Sequence, residues 1–326
     1  MQGRIFASYN GKKSEPALPI LCLNLLTEQE YLWPALSEGI AALDEVRIRD
    51  LHCSGFSVKL QFNPARIISS AAPLDPQSIK ERPCFLCTKN LPAAQKGILY
   101  RQKFLILCNP FPIVRRHYTV SHINHMPQSL SEAIHFLLNL SKDLSPDFNV
   151  FYNGPCAGAS APDHLHFQAA PSGTLPVEKE IRDNRTRWTK TSMDGIFLSN
   201  AGLSGREALV MEGKTATGVE TALLKVMDRL KHAIPTAEEP LMNLLCSYQE
   251  NTWQLIIFLR RKHRPHVYYL TGKKRILISP GLMDMGGLVI TPIEKDFILL
   301  DAETMENIYR EVSLDSETVQ KVVASQ

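Results

Sequence analysis

The sequence predicts an α+β protein made of two similar halves, each an antiparallel sheet with helices packed on it. Of the 326 residues, 44% are hydrophobic and 21% are charged, which is typical of a folded globular chain. Apolar side chains recur at helical spacing in two segments, 130–144 and 218–232. Strand-like segments precede and follow each helix in the same order, which predicts two related halves.

The first elements are a predicted helix over 28–50, which Pro34 must start or kink, and a strand over 56–62. Two more strands, 98–107 and 113–121, are separated by a turn that contains two prolines. Together these two strands predict a hairpin.

The next helix opens at Ser129-Leu130-Ser131-Glu132, which matches a capping box, and it ends near Leu144. Two strands then follow, 148–152 and 164–170, with a glycine-containing loop between them.

A polar tract over 171–195 is the clearest internal boundary. We therefore expect a helix and strand over 1–60, a catalytic half over 61–185 and a second half over 186–326. In the second half, strands flank the helix over 218–232, and a glycine pair precedes a last strand and a short helix. The predicted strands of this half are 196–199, 207–211, 241–247, 253–260 and 266–270.

Charge and cysteine content limit the class of protein. The 36 basic and 33 acidic residues give a formal charge of +3, which argues against a nucleic-acid-binding surface. The apolar run Leu18–Leu26 is too short to cross a bilayer and lacks a cleavage site, so neither a membrane span nor a signal peptide is expected. Seven cysteines, an odd number, favour reduced thiols and a cytoplasmic location over a disulfide framework.

The segment with the strongest chemical signal is His164-Leu165-His166-Phe167-Gln168. Side chains alternate along a strand, so both histidines and Gln168 would share one face, with a repeat of ~6.6 Å. Imidazole is nucleophilic and titrates near neutrality, so such a row can attack phosphorus and hold its oxygens. Taken alone, a His-x-His pair is also compatible with a metal-ligand pair or a surface pattern.

The loop before this segment contains Asn153, Gly158 and Ser160. Its glycine permits close backbone approach, and its N–H groups are donors for phosphate oxygens. No P-loop sequence is present, and Gly158-Ala-Ser160-Ala-Pro162 is followed by a strand, so it does not match a hydrolase nucleophile elbow.

Gly158-Ala-Ser160 and the following His-Leu-His-Phe-Gln resemble the histidine-triad (HIT-like) superfamily. The closest resemblance is to the branch that contains galactose-1-phosphate uridylyltransferase, diadenosine tetraphosphate phosphorylase and GDP-L-galactose phosphorylase. This resemblance implies two tandem HIT-like halves, with the second degenerate. It also implies that His166 forms a nucleotidyl-histidine and that Gln168 holds the phosphate. Asp163 adds one residue between Ser160 and His164 relative to the uridylyltransferase pattern.

The resemblance extends to other segments. Superfamily members place a histidine at a strand edge and a second one eight residues later, a spacing that His117 and His125 share. His117 is accordingly a substrate-binding candidate. In the second half, the basic run Arg260–Arg264 is compatible with a solvated strand end or with phosphate binding, and Lys262 and Arg264 are the binding candidates.

Cys84-x-x-Cys87 is compatible with a redox pair, with core cysteines or with half of a zinc site. The uridylyltransferase resemblance implies two further ligands, His125 and His164, and hence a closed structural zinc site. No organic cofactor is expected.

The predicted function is a nucleotidyltransferase of phosphorylase type. Its substrates would be a nucleotide sugar or a dinucleotide, with phosphate or a sugar phosphate as acceptor. A hydrolase of the same fold and a non-catalytic, zinc-stabilised nucleotide-binding protein remain alternatives. The oligomeric state is left open, with a homodimer among the alternatives.

Overall fold

The computed structural model describes residues 2–67, 75–184, 189–193, 196–200, 205–234 and 239–324. The strands of this part of the chain are β1 (Ile5–Tyr9), β2 (Arg47–Cys53), β3 (Phe56–Phe62), β4 (Gly97–Tyr100), β5 (Phe104–Cys108), β6 (Tyr118–His122), β7 (Phe148–Asn153), β8 (His166–Pro171), β9 (Thr189–Met193), β10 (Ile196–Asn200), β11 (Ala208–Gly213), β12 (Met242–Gln249), β13 (Thr252–Leu259) and β14 (Leu288–Thr291).

Helices cover both faces of the sheet. They are α1 (Leu18–Leu32), α2 (Pro34–Ala41), α3 (Pro76–Glu81), α4 (Ile134–Leu144), α5 (Pro176–Asp183), α6 (Ala216–Ala233), α7 (Leu282–Met285), α8 (Glu294–Leu299), α9 (Ala302–Val312) and α10 (Ser316–Ala324). Among the described helices, none combines the length and the apolar character needed to cross a membrane.

Most described strands belong to one large sheet, in the order β1-β4-β5-β6-β8-β7-β12-β13-β11-β10-β9. The two halves of the chain meet inside it, where β7 pairs antiparallel with β12 and Asn153 lies opposite Asn243. The predicted α+β class, with antiparallel sheets and packed helices, is confirmed. Two parallel pairs, β1 with β4 and β3 with β14, are additions that the sequence did not predict.

Alternation along the central strands separates two apolar layers. Val150 and Tyr152 pack on one face with α1, α4 and α6, whereas Phe151, between them, packs on the other face. The second face carries the small sheet β14-β3-β2 and the helices α5 and α9. Ala170 of β8 also points to this second face. Residues of β8 that are an even number of positions from Ala170 therefore lie between the large sheet and the small one.

Several predicted elements are wrong in their bounds. The helix predicted over 28–50 begins earlier, at Leu18, and is interrupted before Pro34, which lacks the N–H that would continue it. Residues 47–50 instead form part of β2, because they pair with β3 across a turn at Gly55, whose φ is +90°. The strand predicted over 56–62 is confirmed as β3.

The segment predicted as a strand over 98–107 is itself a hairpin, β4 and β5. Its turn uses Arg101 and Gln102 at positive φ, so the usual glycine or asparagine signal is missing. The following strand begins at Tyr118, five residues later than predicted. The predicted capping box is also absent, because the helix begins at Ile134 without a side-chain cap and Ser129 bonds Ser131 instead.

In the second half, the strand predicted over 266–270 is a short 3-10 turn, His266–Tyr268, which follows Pro265. The chain closes with several helices rather than one. The predicted domain boundary between 185 and 186 lies outside the described residues, and the division into 1–60, 61–185 and 186–326 stays a prediction.

Candidate active site

The centre of the candidate site is β8, which begins at His166. Leu165 and Phe167 pack into the core on one face of the large sheet. His166 and Gln168 point to the other face, where they line a cavity of about 480 Å³ between the large sheet and the segment 279–284. The strand thus presents two polar groups from an apolar support.

His164 departs from the predicted row of three. It precedes the strand and does not line the cavity; its imidazole lies among Cys84, Cys87 and His125. A turn at Pro162 and Asp163 and a bend at His164 precede the strand, so the strict alternation of a strand does not extend back to His164. The row that faces the cavity therefore contains His166 and Gln168 only.

Hydrogen bonds fix the tautomer of His166. Its Nδ1 donates to the carbonyl oxygen of His164 at 2.8 Å, which leaves the lone pair on Nε2. Burial lowers the pKa of His166 to about 4, so the ring is neutral at physiological pH. A neutral imidazole with a free Nε2 is the form that acts as a nucleophile.

His117 orients Gln168. The Nδ1 atom of His117 accepts from the Ile113 amide at 3.4 Å, and its Nε2 donates to Gln168 Oε1 at 2.8 Å. Because the amide oxygen is taken, the amide nitrogen of Gln168 remains as the donor for the cavity. His117 itself is buried and does not line the cavity, so it acts through Gln168 rather than on a ligand.

The end of β7 and the loop after it form one wall of the cavity through Asn153, Gly158 and Ser160. Gly158 has a φ of +91°, and a Cβ there would lie 2.6 Å from the Cα of Gly281. Only glycine permits this approach. Asn153 Oδ1 accepts from the amide of Leu282 at 2.7 Å, so the loop is fixed to the second half of the chain.

Charged groups in the cavity are mostly basic. Arg66, Arg82 and Arg264 line it, together with one carboxylate, Asp284. Burial lowers the pKa of Arg66 to about 10, and burial raises the pKa of Asp284 to about 6. Such a site favours an anionic ligand.

The sequence did not predict Arg66, Arg82 or Asp284 as site residues. They come from segments far apart in the chain, and tertiary folding alone brings them together. Only Arg82 had a local signal, because it stands two residues before Cys84. Its Nη2 donates to the carbonyl oxygen of Ser160 at 2.9 Å, and its guanidinium lies over the Phe85 ring.

Lys262 is a correction to the predicted set. It does not line the cavity, and its ammonium pairs with Glu311 at 2.8 Å on the surface. Arg264, two residues on, does line the cavity and donates to Ser279 Oγ at 2.9 Å.

The structure brings Cys84, Cys87, His125 and His164 together, as the family resemblance implied, with their ligand atoms within 4.8 Å of one another. Cys84 Sγ lies 3.2 Å from His164 Nδ1, and Cys87 Sγ lies 3.3 Å from His125 Nδ1. Tetrahedral zinc, with bonds of about 2.0–2.3 Å, requires ligand atoms roughly 3.3–3.8 Å apart. The cluster therefore has the donor set of a zinc site, and these two cysteine–histidine separations are close to the tetrahedral spacing.

Hydrogen bonds behind the cluster support the same interpretation. The Nε2 atom of His164 donates to the carbonyl oxygen of His122 at 2.7 Å, which leaves Nδ1 free of a proton on the side of the cysteines. The Nε2 atom of His125 lies 3.7 Å from the carboxylate of Asp163. Metal-bound histidines are usually held by a carbonyl or a carboxylate in this way.

A sequence-family profile described as a domain of unknown function (DUF4922) matches residues 25–171. No curated protein sequence matches the chain significantly. Among solved structures, yeast Ap4A phosphorylase Apa2 in complex with Ap4A aligns with a TM-score of 0.57 at 13% identity, over 89% of this chain and 97% of that one. Apa2 in a second structure aligns with a TM-score of 0.55 at 12% identity, over 87% and 94% of the two chains.

The chain has the fold of Apa2. The fold predicted from the HIT-like resemblance is therefore confirmed. Because Apa2 aligns over almost its whole length, the likeness includes both halves of the large sheet. A third Apa2 structure, in complex with AMP, aligns with a TM-score of 0.51 at 14% identity, over 87% of this chain and 96% of that one.

Proposed function

We propose that the protein is a nucleotidyltransferase of phosphorylase type that forms a nucleotidyl-histidine on His166. The observation that carries the proposal is the bond from His166 Nδ1 to the His164 carbonyl, in a ring that lines a basic cavity. That bond leaves Nε2 as an unprotonated nucleophile. The fold of a dinucleotide phosphorylase supports the same reaction class.

In the first step, the Nε2 lone pair attacks the α-phosphorus and the bond from that phosphorus to the bridging oxygen breaks. The leaving phosphate takes the electron pair of that bond. The imidazole becomes positively charged, and its Nδ1–H is already bonded to a carbonyl that stabilises this charge. In the second step, an acceptor phosphate oxygen attacks the same phosphorus, the N–P bond breaks and the lone pair returns to Nε2.

The other cavity residues stabilise the transferring group. The amide nitrogen of Gln168, held by His117, donates to a non-bridging oxygen. Arg66, Arg82 and Arg264 balance the negative charge of the phosphates. The apolar part of the lining, which includes Leu107 and Phe111, suits a nucleobase. These features favour a nucleotide sugar or a dinucleoside polyphosphate as substrate.

We further propose that Cys84, Cys87, His125 and His164 bind a structural zinc ion. Four protein ligands close the coordination sphere, so zinc here would stabilise the fold rather than activate water. Because the carbonyl oxygen of His164 accepts the hydrogen bond from His166 Nδ1–H, a fixed His164 backbone also fixes the nucleophile.

The proposal is tested by incubating the protein with Ap4A and with nucleotide sugars of each base, labelled at the α-phosphate. We expect label on the denatured protein that is stable to base and labile to acid, as a phosphoramidate is. His166→Ala should carry no label. His135→Ala, which removes an exposed histidine elsewhere, should be labelled like the unmodified protein.

Two other results would decide against this proposal. Substrate consumption without protein-bound label, at equal rates with and without phosphate, would indicate a hydrolase that does not use His166 covalently. Nucleotide binding without consumption of any tested compound would indicate a non-catalytic binding protein.

A further inference from the structure

Arg260 stands at the end of β13, within a basic run that the sequence left open as a solvated strand end. The structure buries it, with only 2% of the residue exposed. A buried guanidinium is costly unless its donors are all satisfied. The hydrogen-bond partners of Arg260 therefore decide whether its burial is stable.

Neutral oxygens satisfy the whole guanidinium of Arg260. One Nη1 hydrogen goes to Asn243 Oδ1 at 2.7 Å and the other to the Pro280 carbonyl at 2.8 Å. The remaining donors reach main-chain carbonyls, those of Lys262, His263 and Val312. Arg260 thus makes a fixed fork that joins β12 to the segment containing Pro280.

Asn243 continues the connection into the candidate site. Its Nδ2 donates to Asn153 Oδ1 at 2.7 Å and to the Ala157 carbonyl at 2.5 Å. Asn153 Oδ1 also accepts from the Leu282 amide at 2.7 Å. The chain of bonds Arg260–Asn243–Asn153 therefore runs from the second half to the loop that carries Gly158 and Ser160.

The segment held by Arg260 and the loop held by Asn243 contact each other in the cavity wall. Arg260 holds the Pro280 carbonyl, and Gly158 lies against both Pro280 and Gly281. Asn153, Gly158 and Gly281 all line the cavity, whereas Arg260 and Asn243 are not among the lining residues of the described chain. The fork can therefore set the position of the wall without contacting a ligand.

We propose that Arg260 is a positioning residue that fixes the 153–160 loop through Asn243. The consequence for nucleotide binding rests on the proposed function; the consequence for loop order does not. A displacement of the loop by about 1 Å is enough to cost on the order of 10²-fold in a transfer reaction. The second half of the chain, which lines the cavity through Arg264 and Asp284, would thus also fix the 153–160 loop of the first half.

The test compares four variants. Arg260→Lys keeps the positive charge but loses the fork. Asn243→Asp keeps an acceptor for Arg260 but loses the donors to Asn153 and Ala157. Arg261→Gln removes a neighbouring exposed charge. Arg206→Gln removes another buried arginine, which bonds Glu180 and the Met285 carbonyl and lies outside the connection.

Hydrogen exchange of the unliganded protein is the first readout. Arg260→Lys and Asn243→Asp should each speed exchange of the Gly154, Ala157 and Leu282 amides at least tenfold. Arg206→Gln should lower the melting temperature without a selective effect on these amides, and Arg261→Gln should match the unmodified protein. Unchanged exchange of these amides in Asn243→Asp would overturn the proposal, even if Arg260→Lys fails to fold.

Calorimetric binding of AMP is the second readout. The Kd should rise at least tenfold in Arg260→Lys and Asn243→Asp and less than twofold in Arg206→Gln and Arg261→Gln. Equal Kd values in all four variants would overturn a positioning role. If the unmodified protein itself fails to bind AMP, the proposed nucleotide site is refuted, while the exchange data still decide on the loop.

Discussion

The side chains of His117 and Gln168 form one unit, in which the His117 Nε2–H donates to the Gln168 amide oxygen at 2.8 Å. This bond decides that the amide nitrogen, and not its oxygen, is left for a phosphate. A histidine at position 168 would instead be able to carry and release a proton.

This relationship leads to a prediction about the acceptor. A neutral amide at 168 cannot supply a proton, so the nucleotidyl-enzyme should wait for a phosphate-bearing acceptor. Product formation by the unmodified protein should depend on added phosphate or sugar phosphate, and Gln168→His should shift products toward hydrolysis. Chromatography of products with and without phosphate measures this. Equal turnover of the unmodified protein in phosphate-free buffer would contradict it.

Acid stability should depend on His117. Burial, the largest cause, together with the Arg66 charge, lowers its pKa to about 3, whereas an unfolded histidine titrates near about 6.5. Between these values the unfolded chain binds the extra proton, so the free energy of unfolding falls as the pH falls. This group alone contributes a slope of about 1.4 kcal/mol per pH unit. In His117→Asn, the free energy of unfolding, measured by urea titration at a series of pH values below about 6.5, should fall less steeply with falling pH. An unchanged pH dependence would show that His117 is not the group responsible.

The nucleophile assignment predicts that His166→Ala loses at least ~10³-fold in activity while remaining folded, because the nucleophile cannot be replaced by its neighbours. His166→Gly should regain part of the activity with added imidazole, which can occupy the vacated space. Turnover assays with and without imidazole measure both effects. If His166→Ala were about as active as the unmodified protein, His166 would not be the nucleophile.

The metal proposal predicts about one equivalent of zinc in the purified protein, released on acidification, because the ligands must stay deprotonated. Cys84→Ser should lower both the zinc content and the melting temperature. Cys156→Ser, at an exposed cysteine outside the cluster, should change neither. Metal analysis and thermal melts decide this, and zinc-free protein with full stability and activity would leave the cysteines as core residues.

The contact of Gly158 with the second half predicts a large effect of Gly158→Ala. The new Cβ would meet the Gly281 Cα at 2.6 Å and the Pro280 carbonyl oxygen at 2.8 Å. Gly173→Ala is the matched control, since its φ is also positive, +79°, but nothing lies within 4 Å of the new Cβ. Gly173→Ala should cost about 1 kcal/mol of stability, and Gly158→Ala should cost more and also lose activity. Equal costs would show that the contact does not matter.

Local patterns in the sequence were sufficient for part of the site. Strand alternation predicted that His164, His166 and Gln168 share one face, and the structure confirms this for His166 and Gln168 only. The first prediction succeeds where it does because the alternation of side chains is a property of the strand itself. The Cys84–Cys87 spacing left a redox pair, core cysteines and a metal site open, and the family resemblance implied the two histidines that the structure places beside them.

Other features depend on contacts between distant segments. His164 faces the cysteines rather than the cavity because the strand begins two residues later. Arg260 and Lys262 belong to one basic run, yet the first is buried and the second is on the surface. Composition cannot separate them, since the difference arises from which carbonyls of other segments lie within reach. Arg66, Arg82 and Asp284 meet in the cavity for the same reason.

Because β7 pairs with β12, each half of the chain covers a sheet edge that the other half would otherwise expose. Each strand presents a row of backbone N–H and C=O groups that its counterpart occupies, from Asn153 and Asn243 to Val150 and Cys246. If the two halves were separated, both rows would be open in the middle of apolar strands, a template for intermolecular strand addition and aggregation. Because both strands lie in one polypeptide, their pairing at this edge does not depend on protein concentration, as it would between two separate chains.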